Sequence, residues 1–173
     1  MTASGVSRQP ARVLGCQPRG LVLWVIVAGV ALRVALGTVL GLTVDETYGF
    51  AVGRSLCLSY FDHPPLSFWL PALLSKLTGN DGRLLIRVPA IVLFAGTTWM
   101  MYRLGARLYG ESAGALAALA LNLSPVFSIG AGGWNMPDGP LLFFGLGTVL
   151  CLVRIFFPDE PGGHRAWWLA AGD

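Results

Sequence analysis

The sequence predicts an all-α, polytopic transmembrane protein, and three observations lead to this class. Hydrophobic residues make up 54% of the 173 positions and charged residues only 12%, a balance typical of a chain embedded in lipid. Long apolar segments alternate with shorter polar ones, as expected for a series of membrane-spanning helices. The cations are few and spread along the chain, which excludes a nucleic-acid-binding surface.

Four apolar segments are long enough to cross a bilayer, and they predict a single transmembrane domain over residues 1–173. A polar tail, residues 1–20, precedes the first segment. The predicted spans cover residues 21–42, 84–104, 113–129 and 140–157. The first span is longer than the core of a signal peptide and no cleavage site follows it, which predicts a retained membrane anchor.

Residues 164–173, "HRAWWLAAGD", predict the start of a fifth span. An arginine and two tryptophans precede small and apolar residues there, an arrangement typical of the membrane interface. Because the sequence stops inside this predicted span, we expect it to be the N-terminal portion of a longer protein.

The distribution of Lys and Arg predicts a cytoplasmic N-terminus, and we expect a multi-pass protein of the plasma (inner) membrane. In that orientation the cytoplasmic side carries more cations than the outer side, as the positive-inside rule requires. The predicted cytoplasmic cations are Arg8, Arg12, Arg19, Arg103, Arg107, Arg154 and Arg165, and the predicted outer ones are Arg54, Lys76, Arg83 and Arg87. The same topology places residues 43–82 and 130–139 together on the outer face, where we expect any chemistry to occur.

The long outer segment predicts two amphipathic helices that lie in the membrane interface, over residues 47–59 and 65–77. Between them stands "YFDHPPLSFWL". Its two prolines bias His63 away from helical backbone angles and fix a corner between the helices. Asp62 and His63 are therefore expected at a rigid break on the membrane surface.

Two acid-containing pairs on this face are candidates for chemistry. Asp45 and Glu46 directly follow the first span, where a carboxylate can act as a general base or bind a divalent cation. The alternative is a helix end in water, where paired acids are common. An imidazole beside an acid, as in Asp62 and His63, can donate to a phosphate oxygen or bind a metal, or form an interfacial pair. A divalent metal ion is left open, with Asp45, Asp62 and His63 as its candidate ligands.

Three further residues have both a functional and a structural interpretation. Arg33 lies roughly 13 Å deeper than Leu42 at a rise of about 1.5 Å per residue, and a cation at that depth indicates a protein partner or an anionic ligand. Arg87, at the outer mouth of the second span, fits an interfacial anchor or a lipid phosphate contact. Asp138, at the start of the fourth span, fits a site residue or an acid that stabilises a helix N-terminus.

Taken in order, these features resemble the GT-C superfamily of polytopic glycosyltransferases. The series is Arg33, then "DETYGF", "YFDHPPLSFWL", "RVP" and "PDGPLLFF". It is similar in particular to the family 39-like group, which includes protein O-mannosyltransferases, lipid A aminoarabinose transferases and Rgt-like sugar transferases. The resemblance runs from about Arg33 to Trp168, and the acid pair and the proline-containing corner are its most specific parts.

The resemblance implies an enzyme that transfers a hexosyl or pentosyl group from a polyprenyl-phosphate-linked sugar, with inversion, to a glycolipid, polysaccharide or protein hydroxyl. It implies a catalytic role for Asp45, as general base or as the group that positions the acceptor hydroxyl. The adjacent Glu46 is counted with it in the catalytic pair, as a structural residue or as a contact to metal or substrate. It places five residues at the donor's sugar and phosphate: Asp62, His63, Arg33, Arg87 and Asp138. Relatives continue through further spans, so the chain taken alone is expected to lack part of the lipid channel, and Gly49 and Phe50 replace a common second aromatic after the acid pair.

Two other classes of function are compatible with the sequence. A transporter or flippase-like protein would line a path for an anionic lipid or solute with Arg33 and the outer acids, but it predicts an inverted repeat that the spans do not show. A non-catalytic scaffold or an inactive truncated enzyme is the other alternative.

Overall fold

The computed structural model describes residues 13–61 and 63–157, and these residues fold into helices without a β-strand. This confirms the predicted all-α class. The elements, in chain order, are α1 (Pro18–Val39), α2 (Val44–Gly53), α3 (Leu66–Thr78), α4 (Arg83–Tyr109), α5 (Glu111–Leu123), a π-helix (Val126–Ala131) and α6 (Asp138–Phe156).

Three of these helices, α1, α4 and α6, are long and apolar enough to cross a membrane. They overlap the first, second and fourth predicted spans. The third predicted span, 113–129, is divided between α5 and the π-helix, with Ser124 and Pro125 between them. Proline has no amide hydrogen to donate to the preceding turn, which explains the interruption. The number of spans therefore stays a prediction, as does the fifth span, whose residues lie outside those described.

Helix α4 is the centre of the bundle, and α1, α3, α5 and α6 all pack against it. Its closest neighbour is α5, because Gly114 allows the two backbones to touch. A Cβ atom on Gly114 would lie 2.4 Å from the carbonyl oxygen of Tyr102. Many large apolar side chains elsewhere on α1 and α6 are exposed, as expected of surfaces that face lipid.

Helices α2 and α3 pack against each other at one end of the bundle, called here the site end. Helix α3 begins and ends one residue later than predicted, and Gly79, with a φ of 66°, caps its C-terminus. Helix α2 begins and ends earlier than predicted, because Thr43 and Glu46 form a capping box that starts it directly after α1. In a capping box each of these side chains accepts a bond from the other residue's amide.

Candidate functional site

A polar cavity of about 300 Å³ opens at the site end, where α2, α3 and the start of α6 meet. It brings together three of the residues predicted from the sequence, Asp45, His63 and Asp138. The remaining lining residues are Tyr48, Phe68, Asn135, Met136 and Pro137. Residues distant in sequence thus converge on one concave surface of a size suited to a sugar.

Asp45 occupies the first turn of α2 and is exposed at the cavity. A solvent-accessible carboxylate can accept a proton from a hydroxyl group held in the cavity.

His63 reaches the same cavity from the corner between α2 and α3. Its ring lies 6.0 Å from that of Phe68, and Phe68 in turn packs edge-on against Tyr60 at 4.9 Å. The corner is fastened by the Tyr60 hydroxyl, which donates to the Ser55 carbonyl at 2.8 Å, and by the Trp69 indole, which donates to the Cys57 carbonyl at 3.0 Å. The described residues between α2 and α3 form no helix, as expected of a corner, and the rigidity of this corner stays a prediction. Asp62 lies outside the described residues, so its role stays a prediction.

Asp138 begins α6, after the loop 132–137, and is exposed at the cavity. Asn135 anchors this loop: its side-chain amide donates to the Ser67 carbonyl at 3.0 Å. Its backbone amide donates to Glu46 at 3.2 Å. The loop wall is therefore fixed to both α3 and α2.

Glu46 does not line the cavity, although it neighbours Asp45. Its side chain is 0% exposed and forms a two-bond ion pair with Arg87, which is 1% exposed: Nε donates to Oε1 and Nη2 to Oε2, each at 2.7 Å. Backbone amides of Thr43 and Asn135 complete the coordination of the carboxylate.

The guanidinium of Arg87 likewise donates its hydrogen bonds to protein groups. Besides Glu46, it donates to the carbonyls of Leu40 at 3.1 Å and Gly41 at 2.7 Å, just beyond the end of α1. One guanidinium thus joins α4 to the end of α1 and to α2. These contacts indicate that Arg87 positions the three helices relative to one another. Catalysis by Glu46 and donor binding by Arg87 stay predictions.

Two opposed effects set the pKa of Glu46. Burial favours the neutral acid, but the hydrogen bonds from Arg87 and from the amides of Thr43 and Asn135 stabilise the carboxylate more strongly, so the pKa is lowered from its usual value. Glu46 is thus held ionised at neutral pH and suits an electrostatic anchor better than a proton carrier.

Arg33, predicted at the donor phosphate, lies deep in α1 away from the residues that line the polar cavity. Its side chain contacts α4, α5 and the π-helix through Phe94, Asn122 and Ser128. A protein partner for this intramembrane cation is therefore present, and its contact with the donor stays a prediction.

Within the described ranges no three His, Cys, Asp or Glu side chains lie close enough to hold a metal ion. Asp45 and His63 share the polar cavity, but the third candidate ligand, Asp62, is not described. A divalent metal at these residues stays a prediction.

A second cavity, of about 530 Å³ and mainly apolar, runs along α6 beside the π-helix. It begins at Asp138, which also lines the polar cavity, and continues along Leu142 and Leu146 to Val149. A polar compartment and an apolar groove therefore meet at one carboxylate.

Sequence reasoning missed Asn135 and the aromatic residues Tyr48 and Phe68 as parts of the cavity. The two aromatics lie in the quoted motifs, so their position beside the acids was a usable signal. Nothing in the sequence marks Asn135, because its partners Glu46 and Ser67 are distant along the chain.

Comparison with known proteins gives one match. The sequence model of the family described as dolichyl-phosphate-mannose-protein mannosyltransferase matches residues 62–172, more than half of the chain. The match includes His63, Arg87 and Asp138 but begins after Asp45 and Glu46. No curated protein and no solved structure shows significant similarity to the chain.

Proposed function

The chain belongs to the dolichyl-phosphate-mannose-protein mannosyltransferase family, and from this we propose that it transfers a sugar from a polyprenyl-phosphate donor to an acceptor hydroxyl at the site end. Membership makes it a membrane glycosyltransferase of the GT-C type, in agreement with its apolar helices. The donor, the acceptor, the inverting course and the outer-face location are the proposed parts.

One observation carries the proposal: the polar cavity and the apolar groove meet at Asp138. A polyprenyl-phosphate sugar has the same two parts, a polar sugar phosphate and an apolar chain. Its sugar would occupy the polar cavity while the isoprenoid chain follows α6 into the membrane. A nucleotide sugar has no apolar part to fill the groove.

In the proposed reaction the acceptor oxygen attacks the anomeric carbon from the side opposite the phosphate. The new glycosidic bond forms as the bond from the anomeric carbon to the phosphate oxygen breaks, which inverts the configuration. Asp45 takes the hydroxyl proton, and polyprenyl phosphate leaves with the bonding electron pair. Inversion requires the base and the leaving group on opposite sides of the sugar.

The leaving phosphate gains negative charge, so a donor group near it lowers the barrier. His63 is the group we assign to this role, because it is the basic side chain among the described lining residues. Asp62, its neighbour in sequence, would orient the imidazole. Asp138 lies where the two cavities meet, beside the phosphate that links the two parts of the donor, and would accept hydrogen bonds from the hydroxyls of the adjacent sugar.

The family description names mannose and a protein acceptor, and these are the substrates to test first. Membranes containing the full-length protein would receive labelled polyprenyl-phosphate mannose and a peptide rich in Ser and Thr. We expect labelled peptide with this donor and none with a nucleotide-linked mannose. Labelling from the nucleotide sugar alone, or movement of the lipid donor across the membrane without transfer, would contradict the proposal.

A further inference from the structure

The carbonyl of Ser128 lies in an unusual backbone region where the helical hydrogen-bond pattern changes. The amides of Gly132 and Trp134 bond to the carbonyls of Phe127 and Ile129, in the wide spacing of a π-helix, and the amide of Gly133 also bonds to Ile129. The bonds given for these three amides therefore do not include the Ser128 carbonyl. An unpaired carbonyl inside a membrane protein costs free energy, so this position requires another donor.

Arg33 supplies that donor from the middle of α1. Its Nε donates to the Ser128 carbonyl at 3.2 Å, and its Nη2 donates to the Ser128 hydroxyl at 2.8 Å and to the Asn122 side chain at 3.3 Å. The guanidinium also lies over the ring of Phe94, 4.5 Å from its centroid. One side chain thus joins α1 to the π-helix, α5 and α4.

The surroundings are built for this guanidinium. Asn122 is oriented by its own amide, which donates to the Thr98 hydroxyl at 2.9 Å and to the Ala118 carbonyl at 3.0 Å. Gly29 leaves room for the guanidinium, because a Cβ atom there would lie 2.5 Å from Arg33 Nη1. Arg33 is only 8% exposed, and in the described part of the chain no carboxylate forms an ion pair with it.

The π-helix leads directly into the loop 132–137, which forms one wall of the polar cavity and ends at Asp138. π-helical turns are uncommon, and they persist where the surrounding structure holds them. The far part of the loop is fixed by Asn135 to Glu46 and Ser67. Arg33 is the corresponding attachment of the π-helix that precedes the loop, through its bonds to Ser128.

We propose that Arg33 is a positioning residue that holds the π-helix in register and thereby sets the loop wall of the polar cavity. The proposal differs from a direct contact with the donor, because Arg33 acts through Ser128. It uses the proposed function only in its consequence for turnover; the structural claim is independent of any substrate.

Amide hydrogen exchange of the full-length protein in lipid nanodiscs tests the structural claim without substrate. In Arg33→Gln we expect exchange in residues 132–137 to rise by at least about tenfold, because bonds to a charged donor are lost, while α4 stays protected. Arg33→Lys keeps a donor and should give a smaller rise. Unchanged exchange in 132–137 of Arg33→Gln would overturn the proposal.

A milder pair of variants guards against loss of folding. Gly29→Ala forces the guanidinium away from its place, whereas Gly20→Ala, on the same helix, has nothing within 4 Å of the added carbon. We expect amide exchange in residues 132–137 to be faster in Gly29→Ala than in the wild type, and to be unchanged in Gly20→Ala. Equal behaviour of the two variants would contradict the proposal.

Turnover separates this role from that of a donor-binding residue. For a positioning residue, Arg33→Gln should lower kcat relative to the wild type and should also speed amide exchange in the loop 132–137. A raised KM for the lipid donor with unchanged exchange would instead assign Arg33 to donor binding and overturn the positioning role. If the wild-type protein shows no transfer, the proposed function fails while the exchange result still decides the role of Arg33.

Discussion

Asp45 and Glu46 are adjacent, yet their side chains lie in opposite environments. Asp45 is exposed at the polar cavity, and Glu46 is fully buried with Arg87, Thr43 and Asn135 around its carboxylate. Successive residues of a helix point in directions about 100° apart, so one can face a site while the next faces the protein. Asp45 is therefore open to the cavity, whereas Glu46 joins α2 to α4 and to the loop that carries Asn135.

The burial of the Glu46–Arg87 pair predicts a large loss of stability when its charge balance is broken. Glu46→Gln leaves the Arg87 cation buried without a counter-charge, and we expect a loss of about 3 kcal/mol in the free energy of unfolding. Unfolding in a detergent titration at neutral pH measures this. Glu111→Gln is the matched control, because its ion pair with Arg19 is exposed and its loss should change stability far less than the loss of the buried pair.

The same pair predicts the direction of a pH effect. The pKa of Glu46 is lower in the folded protein, so the unfolded state binds more protons between the two pKa values. The contribution of Glu46 to the free energy of unfolding is complete above its pKa in the unfolded state, which is about 4.3. It is lost as the pH falls through the lower pKa of the folded state. The stability difference between the wild type and Glu46→Gln should therefore narrow on acidification, and a constant difference would contradict this assignment.

At the level of helices, apolar composition was sufficient to predict α1, α4 and α6, because each is long and has a high mean hydropathy over most of its length. The start of α2 was missed, although Thr43 and Glu46 stand at capping-box spacing and gave a local signal. The π-helix carried no such signal. Its register depends on Arg33, which comes from another helix, and only tertiary structure shows that contact.

Part of the candidate site was also predictable, because local sequence marks the positions of some of its residues. Polar residues or prolines mark the ends of the elements that precede three of the site residues, Asp45, His63 and Asp138. A topology predicted from the positions of Lys and Arg placed these three on one face of the membrane. The burial of Glu46 was not predictable, because its partner Arg87 is on a different helix. Whether a charged residue lines a cavity or joins two helices is decided by packing between distant segments.

For the molecule as a whole, the two ends of the bundle differ in character. The site end carries the polar cavity, and the opposite end carries the exposed Arg19–Glu111 ion pair. The predicted topology places the first outside and the second in the cytoplasm. Two exposed cysteines lie at these ends, Cys16 near the start of α1 and Cys57 near the corner.

The cysteines allow this orientation to be measured with native side chains. In sealed right-side-out vesicles we expect a membrane-impermeant maleimide to label Cys57 and to reach Cys16 only after permeabilisation. Cys57→Ser and Cys16→Ser assign each signal. Labelling of Cys16 before permeabilisation, with Cys57 protected, would show that the predicted orientation is reversed.

The role of Asp45 is the point on which the proposed function depends, and transfer by Asp45→Asn measures it. With polyprenyl-phosphate mannose and the peptide acceptor, we expect kcat to fall by about 100-fold or more while donor binding is retained. Asp81→Asn is the control, since Asp81 is exposed, pairs with Arg54 at 2.5 Å and is absent from the lining of the polar cavity. Transfer by Asp45→Asn at a rate close to that of Asp81→Asn and the wild type would show that Asp45 is not the base.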